Sequence, residues 1–266
     1  MMTILHSALP YAPWVKPAGR RLPGVMPLPR SDWLMVDSAY ALQMQARADL
    51  LATREADVLA CLPHAHEAAE ELLREVLHDL PQLGFTRRGQ KVECPDGRIV
   101  EIAPDNALWT VGHLLQADFC ILQKPEGEAE HVLTGAVLCF PSSWTLAEKL
   151  GKPLMRIHKP VASYDADMGR RVQRMFDMMR PEQPLWRANL LHYTNPALYQ
   201  PRPELSPKDK SLQGDYIRSE RQCLLKLRDT DAVIFSIHTA VVERNALRPE
   251  ERAALQEIEA SAQTRA

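Results

Sequence analysis

GAVLCFPSSWTLAEKLGKPLMRIHKPV, residues 135–161, decides how the rest of the chain is read. Residues 136–140 are a continuous apolar run, the pattern of a strand buried on both faces. Pro141, Ser142 and Ser143 end it, because proline cannot donate to a ladder and serine competes for backbone bonds. Ser143 or Thr145 can cap a short helix, with Thr145 to Glu148 a capping box and Gly151 the stop. Lys152-Pro153 and Lys159-Pro160 then bracket Ile157-His158, so the chain before each proline is extended. The stretch predicts a strand, a sharp turn, a short helix and a stiff loop that presents His158.

Upstream, DFCILQ at 118–123 predicts a strand, and 131–140 its antiparallel partner, which places Cys120 and Cys139 in one sheet. Before these, Leu42, Ala46, Leu50, Leu51 and Val58, then Ala69, Leu72, Leu73, Val76 and Leu80, recur at helical spacing, with Pro63 between them. His64 and His66, two apart, do not share a helical face and read as exposed. Short strands flank the turn Pro95-Asp96-Gly97, and one or two helical turns follow from Leu108. Downstream, 165–180 predicts an amphipathic helix with Met168, Val172, Met175, Phe176 and Met179 on one face. That stripe suits either core packing or a flexible pocket wall. Strands are expected over 185–193, 216–227 and 232–242, with a long proline-rich loop at 194–214 and a charged helix opening at Pro249. Helices first, then an antiparallel sheet with helices interleaved, is an α+β architecture. The expected division is an irregular proline-rich segment (1–30), one domain (31–245) and a C-terminal helix and tail (246–266).

Composition is that of a soluble globular protein, 45% hydrophobic and 25% charged. A formal net charge of -2 gives no general drive toward nucleic acid or an anionic membrane. The five cysteines lack a C-x-x-C pair and read as reduced thiols of a cytoplasmic protein. No run is long enough to span a bilayer, and the first thirty residues lack a signal-peptide core. Glycine-rich nucleotide loops, H-E-x-x-H and G-x-S-x-G are absent from the sequence.

What remains is polar residues inside apolar segments: Arg187 and Asn189, then Arg218, Glu220 and Arg221, then His238. Alternation along a strand puts Arg218 and Glu220 on one face and Arg221 on the other. Glu220 either forms an internal ion pair, for instance with Arg187, or binds a cation in a pocket.

Segments 114–122, 135–161, 186–201 and 216–239 resemble, in that order, the haem-dependent oxidative N-demethylase family, once known only as a domain of unknown function. Phe140-Pro141-Ser142-x-Trp144, Lys149-Leu150-Gly151 and Ile157-His158-x-Pro160-Val161 carry most of the likeness; Trp33 and Glu70-Glu71-Leu72 add to it. It covers roughly 30–245. The resemblance implies a PAS-like core binding haem b, with iron ligated by His158. It implies oxygen-dependent demethylation of a small secondary amine such as dimethylamine, giving a primary amine and formaldehyde. Trp144, Phe140 and Met155 would pack on the porphyrin, Arg187 and Arg221 would meet its propionates, and Glu220 would hold the ammonium. Because the sequence has no flavin or iron–sulfur motif of its own, a separate flavin/iron–sulfur reductase subunit is the implied electron source. The alternatives are a non-catalytic PAS-like haem or small-ligand sensor and a cofactor-free binding protein. In the latter His158 would only hydrogen-bond backbone. Two segments depart from the family pattern: Leu190 stands where tryptophan is usual, and Ile237-His238-Thr239-Ala240 replaces Ile-Arg-Thr and an aromatic. His238 is thereby a second candidate iron ligand.

Overall fold

A computed structural model of the chain describes residues 3–20, 24–161, 164–206 and 214–263. In chain order, the short strand β1 (Met26–Pro27) leads to α1 (Tyr40–Thr53), α2 (Glu55–Val58), β2 (Leu59–Cys61) and α3 (His66–Asp79). A meander of β3 (Thr86–Arg88), β4 (Lys91–Glu93) and β5 (Ile99–Glu101) precedes α4 (Ala107–Leu114), β6 (Asp118–Gln123) and β7 (Val132–Val137). Next come α5 (Leu146–Lys149), α6 (Leu154–Ile157), α7 (Ala166–Met178), β8 (Leu185–Ala188) and β9 (Leu191–Tyr193). The long hairpin β10 (Tyr216–Lys226) and β11 (Val233–Glu243) and the helix α8 (Pro249–Gln263) close the described chain.

The main sheet has eight strands, in the order β1-β8-β10-β11-β6-β7-β2 with β9 also paired to β10, and every pairing is antiparallel. With the separate three-stranded meander, this is the expected α+β fold. Burial on both faces explains why residues 119–122 of β6 read as an unbroken apolar run. Phe119 and Ile121 join the core under α1, α3 and α4, while Cys120 and Leu122 join Leu133, Leu154, Phe176 and Met179 on the other face. A third cluster at the far end packs Leu9, Tyr11 and Trp14 with Ala254 and Leu255 of α8. The β10–β11 turn is clamped to α3, where the Glu71 carboxylate accepts from the Asp229 and Thr230 amides at 2.8 and 2.9 Å.

Three sequence expectations change. The strand expected over 136–140 ends at Val137, because the Asp118 carboxylate takes the next amides, Cys139 N at 2.7 Å and Phe140 N at 2.9 Å. Cys139 therefore lies beyond the strand, and Cys120 pairs with Ala136. The strand expected over 185–193 is two strands in one register on β10, interrupted where Asn189 Oδ1 accepts from the Glu220 amide at 2.8 Å. Thr145 caps α5 without the expected capping box: its hydroxyl donates to the Glu148 carboxylate at 2.7 Å and not a backbone group. Gly151 does take the left-handed conformation a helix stop requires, φ 71°. Phe176 of α7 and Met179 at its C-cap are buried, and Val172 and Met175 pack against the same cluster, so these four of the five stripe residues are core packing. Part of the proline-rich loop, 207–213, lies outside the described residues, as do 1–2, 21–23, 162–163 and 264–266. Among the described residues no helix is long and apolar enough to cross a membrane.

Burial dominates the titration of this fold. It holds the imidazoles of His113, His131, His158, His192 and His238 below their ordinary value. It pushes the thiols of Cys61, Cys94, Cys120, Cys139 and Cys223 above theirs. The unfolded chain accepts protons on histidine near pH ~6.5, so stability is full above that value and falls as pH drops toward the lowered folded values. Unfolded thiols ionise near ~8.5, so the thiol contribution is full below that value and is lost as pH rises. Melting temperatures across pH should plateau between about 7 and 8 and fall on both sides. A midpoint that keeps rising below pH ~6 would contradict this.

Candidate functional site

A cavity of about 460 Å³ lies between the sheet and the α5–α6 segment, within the range of roughly 300–1,000 Å³ typical of small-molecule sites. The floor follows from strand alternation: Arg187 and Asn189 on the edge of β8, Glu220 and Gln222 on β10, and Phe235 and Ile237 on β11. Their pairing puts them side by side, Gln222 opposite both Arg187 and Ile237. Cys120, Leu122 and Leu133 extend the floor as an apolar wall, and Trp144, Leu154, Ile157 and His158 face it from the other layer.

The stiff extended loop expected around His158 is instead a one-turn helix, α6, followed by a turn through Lys159 and Pro160. Pro153 starts α6, and His158 caps its C-terminus. Its Nδ1 lies 2.9 Å from the Leu154 carbonyl. A carbonyl only accepts, so Nδ1 carries the proton and Nε2 keeps its lone pair. The ring stacks on Tyr164 at 4.2 Å and 16°. Burial holds it below its ordinary pKa, which favours the neutral, ligating form. Lys149 steadies the loop by donating from Nζ to the Ile157 carbonyl at 2.7 Å. His158 thus bonds the backbone and lines the cavity at once.

The ion pair of Glu220 is with Arg218, not Arg187. Arg218 Nε donates to Oε1 at 3.0 Å, while Oε2 accepts from Asn189 Nδ2 at 2.7 Å and Gln222 Nε2 at 3.3 Å. Arg218 is fully buried and also donates to the carbonyls of Leu198 and Phe140, at 2.9 and 2.5 Å. A carboxylate offers roughly four acceptor positions, so Glu220 retains about one. Arg187, on the same floor, has a buried Nε with no hydrogen-bond partner. Burial lowers its pKa, opposed by the nearby Glu220 charge.

At the mouth, the 194–206 loop is pinned to α5 and α6. The Glu204 carboxylate accepts from Arg156 at 2.9 Å and faces Lys149 at 3.5 Å; the Glu148 carboxylate accepts the Glu204 amide at 3.1 Å. The Thr145 hydroxyl first and the Glu204 amide second hold Glu148 below the usual carboxylate range, and the bond from Arg156 does most of the same for Glu204.

The cavity thus gathers His158, Trp144, Arg187 and Glu220 of the sequence candidates. Phe140, Met155 and Arg221 do not line it. Phe140 is buried in the main core beneath the Arg47 guanidinium, 5.4 Å from the ring, and reaches the site only through its carbonyl. Met155 points the other way, and a Cβ added to Gly169 of α7 would come within 2.3 Å of its sulfur. Arg221 faces the opposite side of β10, donating to the carbonyls of Trp33 and Asp32 and lying over Trp186. Both departures from the family pattern also fall outside the cavity lining. Leu190 packs on the third cluster, and His238 Nε2 meets Asp37 Oδ2 at 2.8 Å, an oxygen shared with His6. Asn189 and Gln222 were missed as site residues, yet they share strand parity with Arg187 and Glu220, a signal present in the sequence. The rim residues Arg202 and Glu204 come from a loop with no periodic signal.

Among the described residues no group of three or more His, Cys, Asp or Glu side chains is arranged to hold a bare metal ion. Compared with models of known families, residues 24–264 match the one described as haem-dependent oxidative N-demethylase, alpha subunit-like. No curated protein matches the chain.

Proposed function

The chain belongs to the haem-dependent oxidative N-demethylase alpha subunit-like family, and from that premise we propose that its cavity binds haem b and an N-methylated amine. The observation that carries this reading is His158, anchored through Nδ1, stacked on Tyr164 and turned into an apolar-walled cavity whose floor holds a carboxylate. Haem iron needs a single imidazole from the protein, and an imidazole whose other nitrogen is bonded to a carbonyl has a fixed orientation. Trp144, Leu154 and Ile157 give that cavity the apolar wall a porphyrin face needs. The residues present therefore fit the group. The core that carries them corresponds, in this reading, to a PAS-like scaffold.

Haem would supply oxygen activation and one-electron chemistry. His158 Nε2 would hold the iron, and Trp144 with Leu154 and Ile157 would keep water from the porphyrin. The free acceptor position of Glu220 would take an ammonium N–H, while Arg218, Asn189 and Gln222 hold the carboxylate still. The balanced reaction is secondary N-methylamine plus O2, two electrons and two protons, giving primary amine, formaldehyde and water. The electrons come from a separate reductase carrying flavin or an iron–sulfur cluster, in keeping with an alpha subunit of a larger assembly. Haem-loaded protein supplied with electrons should release formaldehyde only when an N-methylamine and O2 are both present. Haem uptake with no amine-dependent formaldehyde would favour the sensor instead.

A further inference from the structure

We propose that the amine taken by this cavity is a zwitterion: an N-methyl amino acid whose ammonium meets Glu220 and whose carboxylate meets Arg187. The inference rests on the demethylase reading and specifies its substrate class. Glu220 and Arg187 lie on one floor, on adjacent antiparallel strands, yet form no ion pair with each other. Glu220 is bound to Arg218, Asn189 and Gln222 and keeps about one acceptor position free. Arg187 has a buried Nε with no partner at all. An unpartnered buried guanidinium nitrogen is costly unless a ligand satisfies it. The two groups together present one anionic and one cationic contact, the complement of a small zwitterion and not of a dialkylamine.

A haem propionate is the other source of the same carboxylate chemistry. Propionates are charged and favour the solvent edge of a site. A half-buried cation already lines the cavity from the outer loop: Arg202, on the same segment as Glu204. Arg187 instead rises from the sheet, one strand over from Gln222.

Isothermal titration calorimetry on haem-supplied full-length protein tests this, with N-methylglycine, dimethylamine and acetate as probes. N-methylglycine is expected to bind roughly ten- to hundredfold tighter than dimethylamine, the worth of one charge-assisted hydrogen bond. R187M should erase that preference while leaving dimethylamine within about twofold, and R187K should restore part of it. Equal or weaker binding of N-methylglycine by the wild type would overturn the proposal. So would an R187M protein that keeps the preference but loses haem affinity in a Soret titration, which assigns Arg187 to a propionate. Failure of the demethylase reading is separately visible: the wild type would then take up no haem, whatever the calorimeter records.

Discussion

Replacing Asp118 with alanine is expected to destabilise the fold by about 3–5 kcal/mol, the usual cost of stripping one partner from a buried ion pair. Asp118 is fully buried and receives Arg47 Nη1 at 2.6 Å as well as the amides of Cys139 and Phe140. The variant would leave Arg47, itself fully buried, with only the Gly112 and Gln116 carbonyls, at 3.1 and 3.3 Å. It would also orphan two buried amides at the point where the chain leaves β7 for the far wall of the cavity. Urea unfolding should show a lower midpoint with an unchanged slope. D118N, which keeps an acceptor, should fall between. A loss below about 1 kcal/mol in the alanine variant would mean that 138–140 is held by core packing alone.

The second large effect concerns Glu220. E220Q keeps the shape and an acceptor for Arg218 but removes the charge that would attract an ammonium. It should cost about 2–5 kcal/mol of amine binding, the range for truncating a buried charge pair. Haem uptake should persist, while the melting temperature should fall, because the buried Arg218 keeps the carbonyls of Leu198 and Phe140 but loses its charge partner. E220A is the harsher variant, because it strands a fully buried Arg218. Unchanged amine affinity in a folded, haem-loaded E220Q protein would remove Glu220 from the substrate site.

How much of this was legible in the sequence depended on whether the cause was local. Strand β6 was readable to the residue because its apolar run, 119–122, has no solvent face and is bounded by a polar residue at each end. The opposition of Arg218 and Glu220 to Arg221 followed from alternation alone, and the structure keeps it. The short helix α5 and its stop at Gly151 were readable because their signals act on their own backbone. Helix α6 was not: its four residues, set between prolines, carry no helical period, and the expected loop is a helical turn. Asp118 was different: its side chain ends a strand twenty residues away, and no local pattern marks a carboxylate as a cap for distant amides. The partner of Glu220 was misplaced for a related reason. Arg187 and Arg218 are chemically equal candidates, and only the register of β8 on β10 separates them. Phe140 and Met155 sit inside the motifs that carry the family likeness, yet one fills the main core and the other the α6–α7 contact. Motif membership did not tell a packing residue from a cavity-lining one.

The central claim, that His158 holds haem in this cavity, is tested most directly by titrating haem into the wild type and H158A and reading the visible absorption spectrum. The wild type should saturate with a sharp Soret band, and H158A, with its fold verified by melting temperature, should lose that band or shift it. A wild type that takes up no haem, or an H158A spectrum and affinity identical to wild type, would contradict the account.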